Sequence, residues 1–340
     1  MSRKLVDVAG GTFKHGVYPD MPNDAYYSHS RGLNPSTLVH RKKSALEAKY
    51  AYEKEFPDTD SMRFGRCAHC LLFEPRKFKQ HWAIWDGRRQ GKEWQAFRAA
   101  AEADGKEIIN AGGQYGYGNA LNAVRAAIDK PVVSSLIDEG VPEIAVFTEE
   151  SIYGVELDSD ERRIVCGSQL DGDVRPFIGS RVSVNIDGRR ESVEVLEKLP
   201  SIQCRGRIDW VDTRSGYMVD AKFTNTVEPA LFERNSASFQ YHVKMACYWK
   251  WFERETAKRI NGVFLIGIQN REPYDVVVFE YTTEALEAGW DLARRYIQLI
   301  AEDIEVAIFS GADGGQDVIP LGLPMWAMEE AEVDQVDWSA

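Results

Sequence analysis

Residues 203–212 and 217–224 both read as strands, and only Thr213-Arg214-Ser215-Gly216 separates them, so the chain must double back there as an antiparallel hairpin. So short a turn decides which side chains can meet. Asp220 and Lys222 are two apart and share one sheet face, and antiparallel pairing can bring Asp209, in Arg207-Ile208-Asp209, against that face. Two carboxylates converging on one point repel unless a proton or cation lies between them, and a hard oxygen pair suits Mg²⁺ or Mn²⁺. A lysine beside them supplies a point charge that can orient an attacking water or stabilise charge developing on a phosphodiester. A hairpin with ordinary solvent-facing charges carries the same pattern, because Asp-x-Lys is common on exposed strands.

The rest of the chain alternates helical and strand patterns around this hairpin. Asn34-Pro35-Ser36 is a helix start, and the helix is expected to run to about Glu55. Asp58 or Thr59 then caps a second helix that runs to about Phe73 and is stopped by Pro75, with Phe64, Ala68, Leu71 and Leu72 as its apolar stripe. Arg88-Arg89-Gln90-Gly91-Lys92 leads into a helix to about Ala103, and Gly-rich residues 112–118 precede a helical region broken near Pro131. From Pro142 the period changes to two, with Ile144, Val146 and Thr148 on one face. Residues 151–202 contain a second hairpin, with strands near 181–186 and 189–195 around Asp187-Gly188. Helical stretches fill 229–258, strands follow at 262–269 and 274–281, and a helix runs from about Thr283 to Phe309. This order predicts an α/β fold with helices around one mixed sheet. The expected organisation is an irregular arm at 1–33, one domain at 34–310 with a β-rich insertion at 151–202, and an acidic tail at 311–340 holding Glu329, Glu330, Glu332, Asp334 and Asp337.

Composition narrows the setting. A chain of 340 residues with 44% hydrophobic and 28% charged residues can bury a core and is not of a disordered or collagenous class. It has no apolar run of about 18 residues and no secretory start, so a cytoplasmic protein without membrane spans is expected. Five cysteines, an odd number, argue for thiols over a disulfide framework. The net charge of −12 disfavours non-specific attachment to DNA or anionic membrane, though a basic groove can exist on an acidic protein. Residues 112–118 lack the Gly-Lys-Ser/Thr of a P-loop, so no motor is implied. Cys67-Ala68-His69-Cys70 raises a rival reading, a zinc or iron–sulfur protein, but thiols this close on one helix diverge from a four-ligand tetrahedron and suit small apolar roles.

Further residues complete a pattern with the hairpin: His69 in Gly65-Arg66-Cys67-Ala68-His69, Glu143 at the opening of a strand, and the helical run from Gln240 to Tyr248. In this order and spacing the chain resembles the PD-(D/E)xK nuclease superfamily, and within it the RecE-like exodeoxyribonuclease VIII group, related to RecB nuclease domains and lambda exonuclease. The resemblance covers roughly residues 30 to 300. It implies a restriction-endonuclease-like core in which His69, Asp209, Asp220 and the backbone carbonyl of Ala221 hold Mg²⁺, with Mn²⁺ able to substitute, as one or two ions. Lys222 would sit on the water, and Glu143 would be a second acidic group. Where the group has glutamine this chain has Lys244, while Tyr248 is retained and Gln240 stands four residues earlier on the expected helix face, so Lys244 is expected to touch the DNA backbone. Arg31 falls near the group's 5′-phosphate region, Arg88 and Arg89 with Lys92 could form a basic rim, and Arg205 and Arg207 share a face with Asp209. The implied activity is Mg²⁺-dependent exonuclease action on double-stranded DNA ends, 5′ to 3′, by a ring-like homo-oligomer that leaves 3′ tails for an annealing protein of a phage or prophage. A catalytically silent DNA-binding or scaffold protein on this fold, and the Cys/His metal protein, are the alternatives.

Overall fold

The computed structural model describes residues 4–8, 14–19, 21–22, 25–26, 32–54, 58–159, 161–170, 176–186, 188–316 and 318–322. Arg31, Asp187 and the acidic residues of 329–337 lie outside them.

In chain order the elements used below are β1 (Gly16–Tyr18), α1 (Pro35–Leu38), α2 (Ala45–Glu53), α3 (Asp60–Phe73), β2 (Trp82–Trp85), α4 (Gly91–Ala103), β3 (Glu107–Asn110), α5 (Tyr117–Ile128), α6 (Pro131–Leu136), β4 (Val141–Glu156), β5 (Arg162–Cys166), β6 (Arg181–Ile186), β7 (Arg189–Asp212), β8 (Tyr217–Thr224), α7 (Pro229–Ser238), α8 (Tyr241–Thr256), β9 (Gly262–Gln269), β10 (Val276–Glu280) and α9 (Thr283–Val306). An eight-stranded mixed sheet runs in the order β1-β4-β7-β8-β9-β10, with β5 paired to β4 and β6 to β7. The hairpin is β7 and β8, near the middle. The β8–β9 pair is parallel, as it must be after a crossover through α7 and α8, and the other pairs of this sheet are antiparallel.

Two cores make this a three-layer molecule. On one face Ile208, Val211, Met218, Val263 and Leu265 pack with Val243, Cys247 and Trp251 of α8 and Trp290, Ile297 and Ile300 of α9. On the other, Trp210, Val219, Ala221, Ile266 and Ile268 pack with Phe64, Cys67, Ala68 and Leu71 of α3 and Ala120, Ala123 and Val124 of α5. The stripe expected on the second helix is the face α3 buries, and Thr59 caps it by accepting from the Met62 N–H at 3.1 Å. α8 and α9 approach closely because position 289 is glycine: a Cβ there would lie 2.6 Å from the His242 carbonyl oxygen.

The single helix expected from Asn34 to about Glu55 is instead two helices separated by a 3₁₀ turn, Val39–Lys42. Ser44 is the cause. Its extended backbone and its Oγ, which accepts from the Glu47 N–H at 3.0 Å, begin a new helix inside the expected one. β4 and β7, 16 and 24 residues long, extend into the 151–202 stretch, where their pairing shifts register between Glu150 and Ile152 and between Gly154 and Val155, and there they carry a separate small core of Tyr153, Val155, Val165, Val184, Val193 and Val195.

Much of the described N-terminal region lies along the sheet. β1 pairs with β4, and Leu33 bridges to Cys204, its N–H donating to the Gln203 carbonyl at 2.7 Å. No helix among the described residues is long and apolar enough to cross a membrane.

Candidate active site

Three ladder pairs join β7 to β8, Trp210 with Val219, Val211 with Met218 and Asp212 with Tyr217, and beyond them the regular pairing stops. The stop falls where Asp209 would oppose Asp220. The Asp209 carboxylate itself takes the β8 donor, accepting from the Ala221 N–H at 3.2 Å. Across the other edge of β7, Pro142 pairs with Trp210 and Ile144 with Ile208, which leaves Glu143 opposite Asp209. Glu143 has a φ of 52°, a left-handed conformation that interrupts the strand where its side chain is needed. Ile208 packs in the first core and Trp210 in the second, although residues two apart on a regular strand share a face, so β7 also changes face across Asp209.

His69 reaches the same point from α3. Its Nδ1 is 3.1 Å from Asp209 Oδ2, and its ring is held edge-on by Phe223 at 5.6 Å between centroids. Donor atoms of His69, Glu143 and Asp209 all lie within 4.8 Å of one another. Asp220, only 5% exposed, is ion-paired with Lys222 beside them.

The electrostatics are those of a crowded acidic site. Burial and the Asp209 charge raise the Asp220 carboxyl above its ordinary range, against Lys222 and His69. Burial acts on Asp209 in the same sense, but the His69 contact, Lys222 and the Ala221 N–H outweigh it and hold Asp209 low. His69 is pulled down by burial and raised on balance by Asp209. Glu143 is pushed up to about 7 by burial and then by Asp209, with Arg207 opposing. Burial and the Lys222 charge bring Lys244 down to about 8. Three buried carboxylates offset by one histidine, Lys222 and Arg207 are a crowded donor set that a divalent cation would relieve, and oxygen donors with one imidazole suit Mg²⁺ or Mn²⁺, so the residues present fit such an ion. An ion that took Glu143 as a ligand would need it ionised, so its affinity should fall as the pH drops below about 7.

The remaining expected residues separate into near and far. Tyr248 lies against β7, and Gly206 makes room for it, since a Cβ there would be 2.8 Å from the ring. Lys244 stands near Lys222, with both ammonium groups over the Tyr241 ring at 5.6 and 5.2 Å. Gln240 is not on the α8 face with them. It is the N-cap in a left-handed conformation, φ 54°, and its buried Nε2 donates to the Tyr296 hydroxyl at 2.7 Å, because the α7–α8 link turns within this one residue. Arg207 is ion-paired with Glu143 at 2.6 Å and donates to the Met21 carbonyl, so its charge serves the site from within. Arg205 is buried, donating to the Gly32 and Tyr26 carbonyls, and is not presented to solvent. Arg88 and Arg89 are exposed on the loop of a small β2-α4-β3 unit, where Arg89 donates to Asn110 Oδ1 at 2.9 Å and lies over Trp94. Cys67 is buried in the second core and its thiol is raised to about 12 by burial, an apolar role. Sequence reasoning missed Tyr241, next to the lysines, and Phe239 beside it; the signal was two aromatics bracketing Gln240.

The site is thus a histidine, three carboxylates and a lysine gathered where a hairpin splays in the middle of an α/β fold. Residues 179–305 match the family model described as "PDDEXK-like domain of unknown function (DUF3799)". The fold is also that of a candidate exonuclease from Eubacterium rectale, with a TM-score of 0.50 and 9% identity over 91% of this chain and 98% of that chain. The structure of SSO0001, at 12% identity over 83% of this chain and 90% of that one, has a TM-score of 0.26, too low to carry an argument. No curated protein matches the sequence.

Proposed function

We propose that the protein is a Mg²⁺-dependent exodeoxyribonuclease that hydrolyses linear double-stranded DNA from 5′ ends and leaves 3′ single-stranded tails. The convergence of His69, Glu143 and Asp209 donor atoms within 4.8 Å of one another, beside the Asp220–Lys222 pair, carries this reading. A bound divalent ion would supply Lewis acidity toward the phosphate and lower the pKa of water. His69, Glu143 and Asp209, whose donor atoms converge, would hold it together with Asp220 and the Ala221 carbonyl. Lys222, kept charged by Asp220 and Asp209, orients the water and faces the charge that develops on the phosphate. Lys244, which among the described residues is ion-paired with no carboxylate, binds the DNA backbone, and Arg88 and Arg89 extend a basic rim.

The RecE-like resemblance supports a place in single-strand annealing recombination, with an annealing protein as partner, in the cytoplasm of a bacterium carrying a phage or prophage. A ring-like oligomer agrees with a net charge of −12, because topological enclosure of DNA needs little net attraction. The test is digestion of linear and covalently closed circular duplex DNA, each with and without Mg²⁺, the linear substrate labelled at one 5′ or 3′ end. The expected result is loss of linear DNA only, only with Mg²⁺, with the 5′ label released first. Equal cleavage of the circle, or cleavage in excess chelator, would contradict it.

A further inference from the structure

The link between α7 and α8 presents an aromatic pair beside the proposed site. Phe239 is 59% exposed, and its ring stacks on Tyr241 at 5.7 Å and 24°. On Tyr241 the Lys222 and Lys244 ammonium groups approach the ring to 5.2 and 5.6 Å. The arrangement is held from inside. Gln240, between the two aromatics, is 5% exposed and left-handed at φ 54°, and its amide is fixed by the Tyr296 hydroxyl at 2.7 Å. A left-handed glutamine is strained, and such strain persists where the surroundings impose it; here it brings together the exposed Phe239 ring and the half-buried Tyr241 ring.

We infer that Phe239 and Tyr241 form a stacking platform for a nucleobase of the DNA strand whose phosphate meets Lys222 and Lys244. This rests on the nuclease reading and names the part of the substrate it engages. The occupant follows from the chemistry on the page: aromatic faces take bases of any sequence, and two ammonium groups at the edge of the same stack take the phosphate that joins one base to the next. An exposed, sequence-neutral π surface next to the hydrolytic group holds the strand by a base while the neighbouring phosphodiester is positioned.

The experiment measures binding of a short duplex with a frayed 5′ end to metal-free protein, so that no cleavage is needed. Wild type, Phe239→Ala, Phe239→Leu and Phe239→Trp are each titrated with the intact duplex and with duplexes carrying one abasic nucleotide at each of the first four 5′ positions. Because Phe239 is at the surface, all variants should melt with wild type. Phe239→Ala should weaken binding roughly 5- to 150-fold, the range for loss of one base–aromatic stack, with Trp restoring affinity and Leu not. At one position the abasic nucleotide should weaken wild type by a similar factor and leave Phe239→Ala nearly unchanged. An abasic loss of equal size in both proteins, an unchanged affinity in Phe239→Ala, or full rescue by Leu would overturn the platform. A change of mass by light scattering in Phe239→Ala with affinity unchanged would overturn it in favour of a contact between copies of this chain. If the wild type binds and shows the abasic pattern but does not cut DNA with Mg²⁺, the platform stands and the nuclease reading fails. The converse, cutting without the pattern, removes the platform alone.

Discussion

Asp220→Asn should remove nuclease activity by about a thousandfold or more while leaving the fold intact. The amide keeps the shape of the carboxylate and deletes its charge, so a divalent cation loses one anionic oxygen and Lys222 loses its ion-pair partner. Folding should not suffer in proportion. Burial and Asp209 already hold the Asp220 carboxyl above its ordinary range, which means that its ionised form costs stability above that pKa; a neutral side chain removes this cost. Thermal melting within a few degrees of wild type, together with single-turnover cleavage near background, is the expected pair of results. Full Mg²⁺-dependent cleavage by the variant would show that the chemistry lies elsewhere.

Arg205→Ala should act on stability. The side chain is 1% exposed, donates to the Gly32 carbonyl at 3.1 Å and the Tyr26 carbonyl at 3.0 Å, and lies 4.7 Å over the Tyr26 ring. Alanine would leave both carbonyls without these donors and a cavity beneath the N-terminal segment, a loss of about 3–5 kcal/mol by the cost of orphaned acceptors and deleted core volume. Urea denaturation should show the lowered midpoint, and proteolysis should reach the segment preceding Leu33 sooner than in wild type. An unchanged midpoint would mean that Arg205 does not hold this segment to β7.

The hairpin is legible in the sequence because its information is local. Alternation defines the two strands, a four-residue turn sets their register, and that register, continued one step past the last ladder pair, would put Asp209 opposite Asp220 without reference to any other part of the chain. The Thr59 cap and the apolar stripe of α3 are local in the same way. What escapes the sequence depends on partners far along the chain or on single backbone angles. Arg205 and Arg207 look alike on one strand, yet one is enclosed by Tyr26 and Gly32 and the other pairs with Glu143. Gln240 has helical spacing to Lys244 and Tyr248, but its left-handed φ, stabilised by the bond to Tyr296 from another helix, removes it from their face. Ser44 is the exception. Its capping signal is local and marks the break in the expected 34–55 helix.

The most direct test of a divalent-metal site is a calorimetric titration of Mn²⁺ into wild-type protein and Asp220→Asn at pH 8 and pH 6. With Glu143 near pH 7 and ionisation required for coordination, proton competition from this group alone weakens binding roughly tenfold between the two pH values, and the raised His69 adds to it in the same direction. The account predicts saturable binding to wild type at pH 8, about tenfold or more weaker at pH 6, and its loss in Asp220→Asn at both. Equal affinity at both pH values, or Mn²⁺ binding to Asp220→Asn as tight as to wild type, would contradict it.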